Sequence, residues 1–202
     1  MKPIVFLPGA FGREEFWAPV ADRLADLGPG HRFAWPGFGG VPSDPAIHSL
    51  DDLYRWLLHR LPDGASHVVA QSMGGVLATR LAIEHPERVA RLVLVATSGG
   101  VDVAQMGGTD WRPAYRASLP DVPLWFVEDR TDLTAQLGSI RAPTLLLWSD
   151  ADLVSPLAVA DLLAAHIPDT RRAIVPGGTH VFGMERPDEV AAAIRAHLTA
   201  AV

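Results

Sequence analysis

The 202-residue chain contains no cysteine. Disulfides, thiolate nucleophiles and cysteine-ligated metal or iron–sulfur sites are therefore excluded at the outset. The chain also lacks an apolar run near the roughly 18 residues that a membrane-spanning helix needs. The apolar stretch that begins at Ile4 already stops at Pro8 and Gly9, which is too short for a signal peptide. We therefore expect a cytoplasmic protein with no membrane partner.

Basic charge is also scarce, because 17 Lys and Arg face 23 Asp and Glu, for a formal charge of −6. Nucleic-acid binding needs a basic patch, so we expect no nucleic-acid partner. Charged residues make up 20% of the chain and hydrophobic residues 49%, which argues against disorder and suffices for a core. We predict that residues 1–202 form a single domain. The sequence leaves a monomer and a homodimer both open.

Short apolar segments alternate with helical patterns along most of the chain. Strands are predicted at 4–7, 32–35, 67–70, 92–96, 144–148 and 173–175, each a run typical of a strand buried on both faces. Helices are predicted at 16–27, 50–61, 76–85, 156–166 and 187–198, with Ser49 and Ser155 as the N-caps of the second and the fourth. This alternation predicts an α/β fold, a mostly parallel sheet of about six strands flanked by helices.

The segment at about 99–130 departs from this pattern. It is rich in Gly, Asp and Pro, its aromatic residues are scattered, and no regular period fits it. We interpret it either as a short lid inserted between two strand–helix units or as a mobile loop.

A buried strand at 67–70 leads through Gln71 to Ser72 and then directly into a helix. A sharp strand-to-helix turn of this kind exposes a serine hydroxyl at the carboxyl edge of a sheet, and it needs small neighbours such as Gly74 and Gly75. The alternative is a serine that only caps the helix.

Two later strands lead to an acid and to a histidine. Asp150 and Asp152 follow the strand at 144–148, and His180 follows the strand at 173–175 through a glycine-rich loop. Because the strands are predicted to be parallel, these turns should share one sheet edge with Ser72. The chain order Ser, Asp, His then favours a nucleophile, an orienting acid and a general base.

These features resemble the α/β-hydrolase family, in particular the compact bacterial esterases and C–C hydrolases related to the pimeloyl-carrier methyl esterases. The resemblance covers nearly the full length and rests on ordered segments at 7–17, 35–39, 89–97, 143–156 and 177–187. It implies an α/β-hydrolase fold with a reduced lid at about 99–130. It also implies a carboxylesterase-type serine hydrolase that works through an acyl-enzyme and uses no metal or other cofactor.

The resemblance carries roles over to individual residues. Ser72 would be the nucleophile, His180 the general base and then acid, and Asp152 the carboxylate that orients the imidazole. Asp150 competes with Asp152, but in the family's turn the second aspartate is the catalytic one. Since His180 must be neutral to act as a base, we expect activity to rise through roughly pH 6–7.

The resemblance also implies an oxyanion hole formed by two backbone N–H groups. These would be the N–H of Met73, directly after the nucleophile, and the N–H of Ala10 in the first loop, with Phe11 as the alternative second donor. The sequence departs from the family's pattern nearby, with Pro8 in place of a frequent histidine, Ala70 in place of a glycine before the serine, and Ser149 in place of a glycine before the acid turn.

The expected substrate is a small-molecule carboxylic ester with a short- to medium-chain acyl group, or a methyl ester. Candidate substrate-binding residues are apolar side chains that could lie over Ser72: Phe11, Trp111, Trp125, Phe126 and Val181. For the aromatic residues, packing of the lid on the core is an equally good interpretation. C–C, thioester and lactone hydrolysis by the same residues stay open, as does a ligand-binding protein of this fold without turnover.

Overall fold

Six strands form one sheet in the computed structural model, which describes residues 1–118 and 122–201. They run in the spatial order β2-β1-β3-β4-β5-β6, and every neighbouring pair is parallel. The strands are β1 (Ile4–Leu7), β2 (Gly30–Arg32), β3 (Ser66–Gln71), β4 (Val89–Val95), β5 (Thr144–Trp148) and β6 (Thr170–Ile174). This confirms the predicted α/β fold with a parallel sheet of about six strands.

Helices cover both faces of the sheet. They are α1 (Ala18–Arg23), α2 (Leu50–Leu58), α3 (Met73–Glu84), α4 (Arg112–Ser118), α5 (Leu124–Glu128), α6 (Leu157–His166), α7 (Phe182–Glu185) and α8 (Pro187–Leu198). Short 3₁₀ turns occupy Glu14–Trp17, Ala25–Leu27, Pro86–Arg88, Val103–Met106 and Thr134–Ser139. No helix in the described part of the chain is both long and apolar enough to span a membrane.

The core consists of two layers, because alternate strand residues point to opposite faces. Val5 and Leu7 of β1 pack on the face that α2, α3 and α6 cover. Ile4 and Phe6 pack on the other face, which α1 and α8 cover. The strand that carries the candidate oxyanion loop is therefore buried on both sides.

The predicted strand at 32–35 was placed too late in the sequence, since β2 ends at Arg32. Phe33 N–H still donates to the Phe6 carbonyl, at 3.0 Å, but the chain then turns off the sheet. Trp35 is fully buried in the core, and its indole N–H donates to the Pro8 carbonyl. The apolar run is therefore buried beneath the first loop rather than within the sheet.

The predicted helix at 16–27 is broken into three pieces. Pro19 has no N–H and is tolerated only in the first turn, so the α-helical part begins at Ala18. It ends before Leu24, whose N–H bonds to the Ala21 carbonyl in a tighter turn. The hydrophobic spacing was read correctly as helical, but proline sets the start of the α-helix at Ala18 and the tighter turn at Leu24 ends it.

The two predicted N-caps have different outcomes. Ser49 caps α2, because its Oγ accepts the Asp52 N–H at 3.0 Å. Ser155 was predicted wrongly as a cap, since α6 begins at Leu157 after Pro156, without a side-chain cap. The Ser155 hydroxyl instead donates to the Thr97 carbonyl at 2.9 Å.

The last predicted strand was wrong in its burial. β6 is an edge strand that exposes Arg171 and Arg172, not a strand buried on both faces. Only β5 lies beside it, so its outer side meets solvent. The remaining predicted elements differ from the observed ones by a few residues at their ends.

His67 lies near the start of β3, where the sheet's amino-terminal edge begins. Burial, together with the nearby positive charges of Arg91, Lys2 and His197, lowers the pKa of His67 to about 4. The folded protein therefore holds this imidazole neutral, whereas the unfolded chain protonates it near pH 6.5.

Between pH 6.5 and 4.5 the unfolded state should bind the additional proton, so acid should destabilise the fold. We expect His67 to account for about 2 kcal/mol of the fall in unfolding free energy over this range. Urea unfolding at both pH values should show a smaller fall in His67→Gln. His31→Gln, at an exposed position on β2, is the control and should behave like the wild type. If the unfolding free energy of His67→Gln falls as much as that of the wild type, His67 is not the source of the acid destabilisation.

Candidate active site

Ser72 is the single residue that connects β3 to α3, and its backbone angles are φ 50° and ψ −121°. Such a backbone costs on the order of 1–3 kcal/mol for a residue other than glycine. Hydrogen bonds hold it in place: its N–H donates to the Val95 carbonyl at 3.1 Å, and its carbonyl accepts from Thr97 Oγ1 at 2.5 Å. The serine side chain is therefore presented at the carboxyl edge of the sheet, as predicted for a strand-to-helix turn.

Close approach of neighbouring segments explains the glycines around this turn. A Cβ on Gly74 would lie 2.5 Å from the Pro8 carbonyl oxygen, and one on Gly75 would lie 2.5 Å from Thr97 Cβ. The first loop, the start of α3 and the end of β4 therefore meet with no room for a methyl group. Ala70, by contrast, points into the core and is fully buried there.

His180 follows β6 in a loop and reaches both Ser72 and Asp152. Its Nε2 lies 3.0 Å from Ser72 Oγ, and its Nδ1 lies 2.8 Å from Asp152 Oδ2. A carboxylate only accepts hydrogen bonds, so Nδ1 carries the proton and the neutral ring keeps a lone pair on Nε2. That lone pair faces the serine hydroxyl, which is the arrangement a general base requires.

The two aspartates of the turn after β5 have different partners. The Asp152 side chain is fully buried, and its Oδ1 accepts the N–H groups of Val154 (2.8 Å) and Ser155 (3.1 Å). Asp150 is exposed and instead accepts the Gly177 N–H at 2.6 Å. Of the two, only Asp152 contacts His180, whereas Asp150 joins its turn to the loop that carries the histidine.

Three polar residues that support this arrangement were not singled out as site residues from the sequence. Gln71 Nε2 donates to the His180 carbonyl at 3.1 Å, and Ser149 Oγ donates to the Gly178 carbonyl at 2.6 Å. Thr97 holds the Ser72 carbonyl, as described above. Each is a polar residue at or just after the carboxyl end of an apolar strand, which is the signal that could have found them.

The first loop bends in a turn in which the Gly12 N–H donates to the Gly9 carbonyl at 3.0 Å. Ala10 and Phe11 are its central residues. The Ala10 carbonyl accepts the Tyr115 hydroxyl at 2.5 Å. Burial raises the pKa of Tyr115, so this hydroxyl stays protonated and able to donate. The Met73 N–H, at the first position of α3, has no acceptor within that helix.

The three aromatic residues predicted to bind substrate lie together in the 99–130 segment. Trp111 stacks on Phe126 at 5.2 Å between ring centres, and Trp125 and Phe126 both contact Phe38, at 5.6 and 5.7 Å. Tyr115 packs on Phe126 and links this group to the loop of Ala10. We call these five rings the aromatic cluster.

The other two predicted contact residues, Phe11 and Val181, are not part of the aromatic cluster. Phe11 is 52% exposed, and Val181, directly after His180, is partly buried against the core.

The structure describes the 99–130 segment except for residues 119–121. The described residues of this segment form the 3₁₀ turn Val103–Met106 and the helices α4 and α5.

Comparison with known proteins decides the family. The family described as alpha/beta hydrolase fold matches residues 2–136 of the chain. The chain belongs to the α/β-hydrolase family. The family predicted from the sequence is thus confirmed.

Members of this family with known names are similar over most of the chain. The pimeloyl-[acyl-carrier protein] methyl ester esterase of Aromatoleum aromaticum is 30% identical, over 80% of this chain and 84% of its own. The enzyme of the same name from Nitrosomonas europaea is 26% identical, over 92% of this chain and 91% of its own. These names support the prediction of an esterase-type α/β hydrolase.

A solved structure shows the same fold. A hydrolase from Pseudomonas aeruginosa PA01 superposes with a TM-score of 0.79 at 22% identity, covering 98% of this chain and 90% of its own. Within residues 1–118 and 122–201, no three His, Asp or Glu side chains are grouped as metal ligands would be.

Proposed function

We propose that the protein is a serine hydrolase that cleaves carboxylic esters, with a short- to medium-chain acyl group or as methyl esters, through an acyl-enzyme on Ser72. The observation that carries this proposal is the unbroken row of contacts from Ser72 Oγ through His180 to Asp152, at 3.0 and 2.8 Å. A serine that only capped α3 would have no need of an imidazole oriented by a buried carboxylate.

In the proposed cycle, Ser72 Oγ attacks the ester carbonyl carbon while His180 Nε2 takes the hydroxyl proton. The new C–O bond places negative charge on the carbonyl oxygen, which the N–H groups of Met73 and Ala10 would stabilise. The ester C–O bond then breaks, and His180 returns its proton to the leaving alkoxide. Water repeats the sequence on the acyl-enzyme, and Asp152 stabilises the imidazolium each time it forms.

The turn at 9–12 favours Ala10 over Phe11 as the second donor. The Ala10 carbonyl and the Phe11 N–H belong to one planar trans peptide, so they point in opposite directions. Tyr115 holds that carbonyl toward the aromatic cluster, and Phe11 N–H therefore points away from it. The Ala10 N–H belongs to the preceding peptide and is free to turn toward the site.

The ester class rests on two supports. The relatives described above are named methyl ester esterases. The aromatic cluster adjoins the loop of Ala10 and offers an apolar surface to an acyl chain. The 99–130 segment would then serve as the short lid over a small-molecule ester, with Phe11 and Val181 near the nucleophile. Thioester, lactone or C–C hydrolysis on the same residues would be distinguished by direct comparison of rates.

The proposal is tested by labelling with a fluorophosphonate and by turnover of p-nitrophenyl esters from C2 to C12. We expect labelling of the wild type, none of Ser72→Ala, and turnover that is highest at a short or medium chain length. Labelling without turnover of any ester would overturn the ester assignment in favour of another acyl substrate. Absence of labelling would overturn the serine hydrolase itself.

Asp152 and Asp150 provide a matched pair of variants within one turn. Because only Asp152 contacts His180, Asp152→Asn should lower kcat by about 10³–10⁴. Asp150→Asn should change kcat by less than about tenfold, since it loses only a bond to the Gly177 backbone. The two kcat values are measured by steady-state kinetics on the best p-nitrophenyl ester. A larger loss of kcat in Asp150→Asn than in Asp152→Asn would assign the role of the catalytic acid to Asp150.

Tyr115→Phe removes the donor to the Ala10 carbonyl and keeps the ring. We expect kcat to fall about tenfold with KM nearly unchanged, because a loosened Ala10 peptide weakens only transition-state stabilisation. Tyr54→Phe, on α2 away from this loop, is the control and should keep the wild-type kcat. A Tyr115→Phe variant whose KM rises while kcat stays constant would place the tyrosine in substrate binding instead.

A further inference from the structure

A buried arginine lies at the end of the sheet opposite Ser72. Arg91, near the start of β4, is only 7% exposed. Its Nη2 donates to the Ala200 carbonyl at 2.5 Å, and no carboxylate of the described residues lies within ion-pair distance of it. A buried guanidinium without a negative partner is strongly unfavourable. Among the residues that the structure describes, Arg91 therefore lacks an anionic partner.

The groups around Arg91 are cationic or can become so. His67 pairs with Arg91 in the register between β3 and β4, and Lys2 lies two residues before the start of β1. His197 of α8 is buried and donates from Nε2 to the Pro143 carbonyl at 3.1 Å. The Nδ1 atoms of both histidines are buried without a hydrogen-bond partner in the described part of the chain.

The electrostatic surroundings of both histidines have one sign. The charged groups that act on His67 are Arg91, Lys2 and His197, and those that act on His197 are Arg91 and Arg171. All of them lower the histidine pKa, and no carboxylate within residues 1–118 and 122–201 opposes them. The described residues therefore build up a positive potential here, which favours a bound anion.

A cavity gives a ligand access to these groups. It has a volume of ≈ 630 Å³, opens to solvent, and is lined by Met1, Lys2, His67, Ala90 and Arg91. This space accommodates a phosphate or a small carboxylate together with its water. The guanidinium of Arg91 has the planar fork of donors that binds such oxygens in pairs.

We propose that this cavity binds a small oxyanion, a phosphate or a carboxylate group, with Arg91 as the charged anchor and Lys2 and His67 as further donors. The site is separate from the proposed esterase site, because β3 runs about 16 Å from His67 to Ser72 at roughly 3.3 Å per residue. An occupant would stabilise the fold without competing with an ester. The proposal does not rest on the proposed esterase function.

The test is thermal unfolding of the full chain at pH 7 with increasing inorganic phosphate, with chloride keeping the ionic strength constant. A parallel series with acetate distinguishes a carboxylate from a phosphate. We expect a saturable rise of about 3–6 °C in Tm at a concentration of about ten times Kd for the preferred anion. Esterase activity should stay constant through the same series. No anion-specific rise with either salt would overturn the proposal.

Variants assign the effect to this cavity. Arg91→Met should abolish the anion-dependent rise in Tm, and Arg32→Met, at an exposed arginine on β2, should keep it. Lys2→Ala changes only an exposed side chain, so it tests the site even where Arg91→Met does not fold, and it should weaken Kd about three- to tenfold. A rise that persists unchanged in Arg91→Met or in Lys2→Ala would overturn the assignment.

Proton NMR of the His67 ring gives a second readout. Addition of the preferred anion should raise the pKa of His67 from about 4, because a negative charge beside the ring favours its protonated form. The same titration in Arg91→Met should leave the His67 pKa unaffected by the anion. An anion that raises Tm without moving this pKa would bind elsewhere on the protein and would overturn the proposal.

Discussion

A serine with a φ of 50° persists between β3 and α3 because its neighbours hold the turn from several sides. The carbonyl of Val95 and the hydroxyl of Thr97 bind its backbone, and Gly74 and Gly75 let the first loop and the end of β4 come within contact distance. These contacts all originate at the carboxyl edge of a parallel sheet, where successive strands end side by side. The geometry of the candidate site therefore depends on how tightly this edge is packed.

The loops that supply the acid and the histidine are tied to this edge and to each other. Gln71, the residue before Ser72, holds the His180 backbone, while Ser149 and Asp150 bind the glycine loop ahead of it. Each of these bonds joins segments that are distant in sequence. Because the imidazole is oriented through its backbone as well as through Asp152, it needs little reorganisation to face the serine. Ser149, a departure from the family's usual glycine, takes part in this network.

Sequence patterns predicted the elements that depend on local chemistry. The alternation of apolar runs and helical spacing indicated the parallel sheet, and the chain order of Ser72, Asp152 and His180 indicated residues that the structure brings into contact. The errors arose at residues whose position depends on tertiary contacts. Trp35 leaves the sheet to reach the Pro8 carbonyl, and Ser155 binds the Thr97 carbonyl rather than a helix end. The spacing of hydrophobic residues along the sequence does not indicate such contacts.

Register explains why the cationic group at the opposite end of the sheet was not predicted. His67 and Arg91 belong to different strands, and they become neighbours only through the pairing of β3 with β4, which shifts between Ser66 and His67. A shift of this kind depends on local backbone irregularity rather than on the apolar pattern. In the sequence, each of these side chains reads only as a polar residue at a strand end.

The outermost strands of the sheet, β2 and β6, each lack a second neighbouring strand. Such an edge can act as a template for another chain, and fibrils grow from edges of this type. Both outer strands of this sheet carry exposed basic side chains, Arg32 on β2 and Arg171 on β6, whereas Arg172 of β6 pairs with Asp161. Two copies that met edge to edge would bring like charges together, so the same arginines that interrupt the apolar strand patterns protect the open sheet against self-templated aggregation.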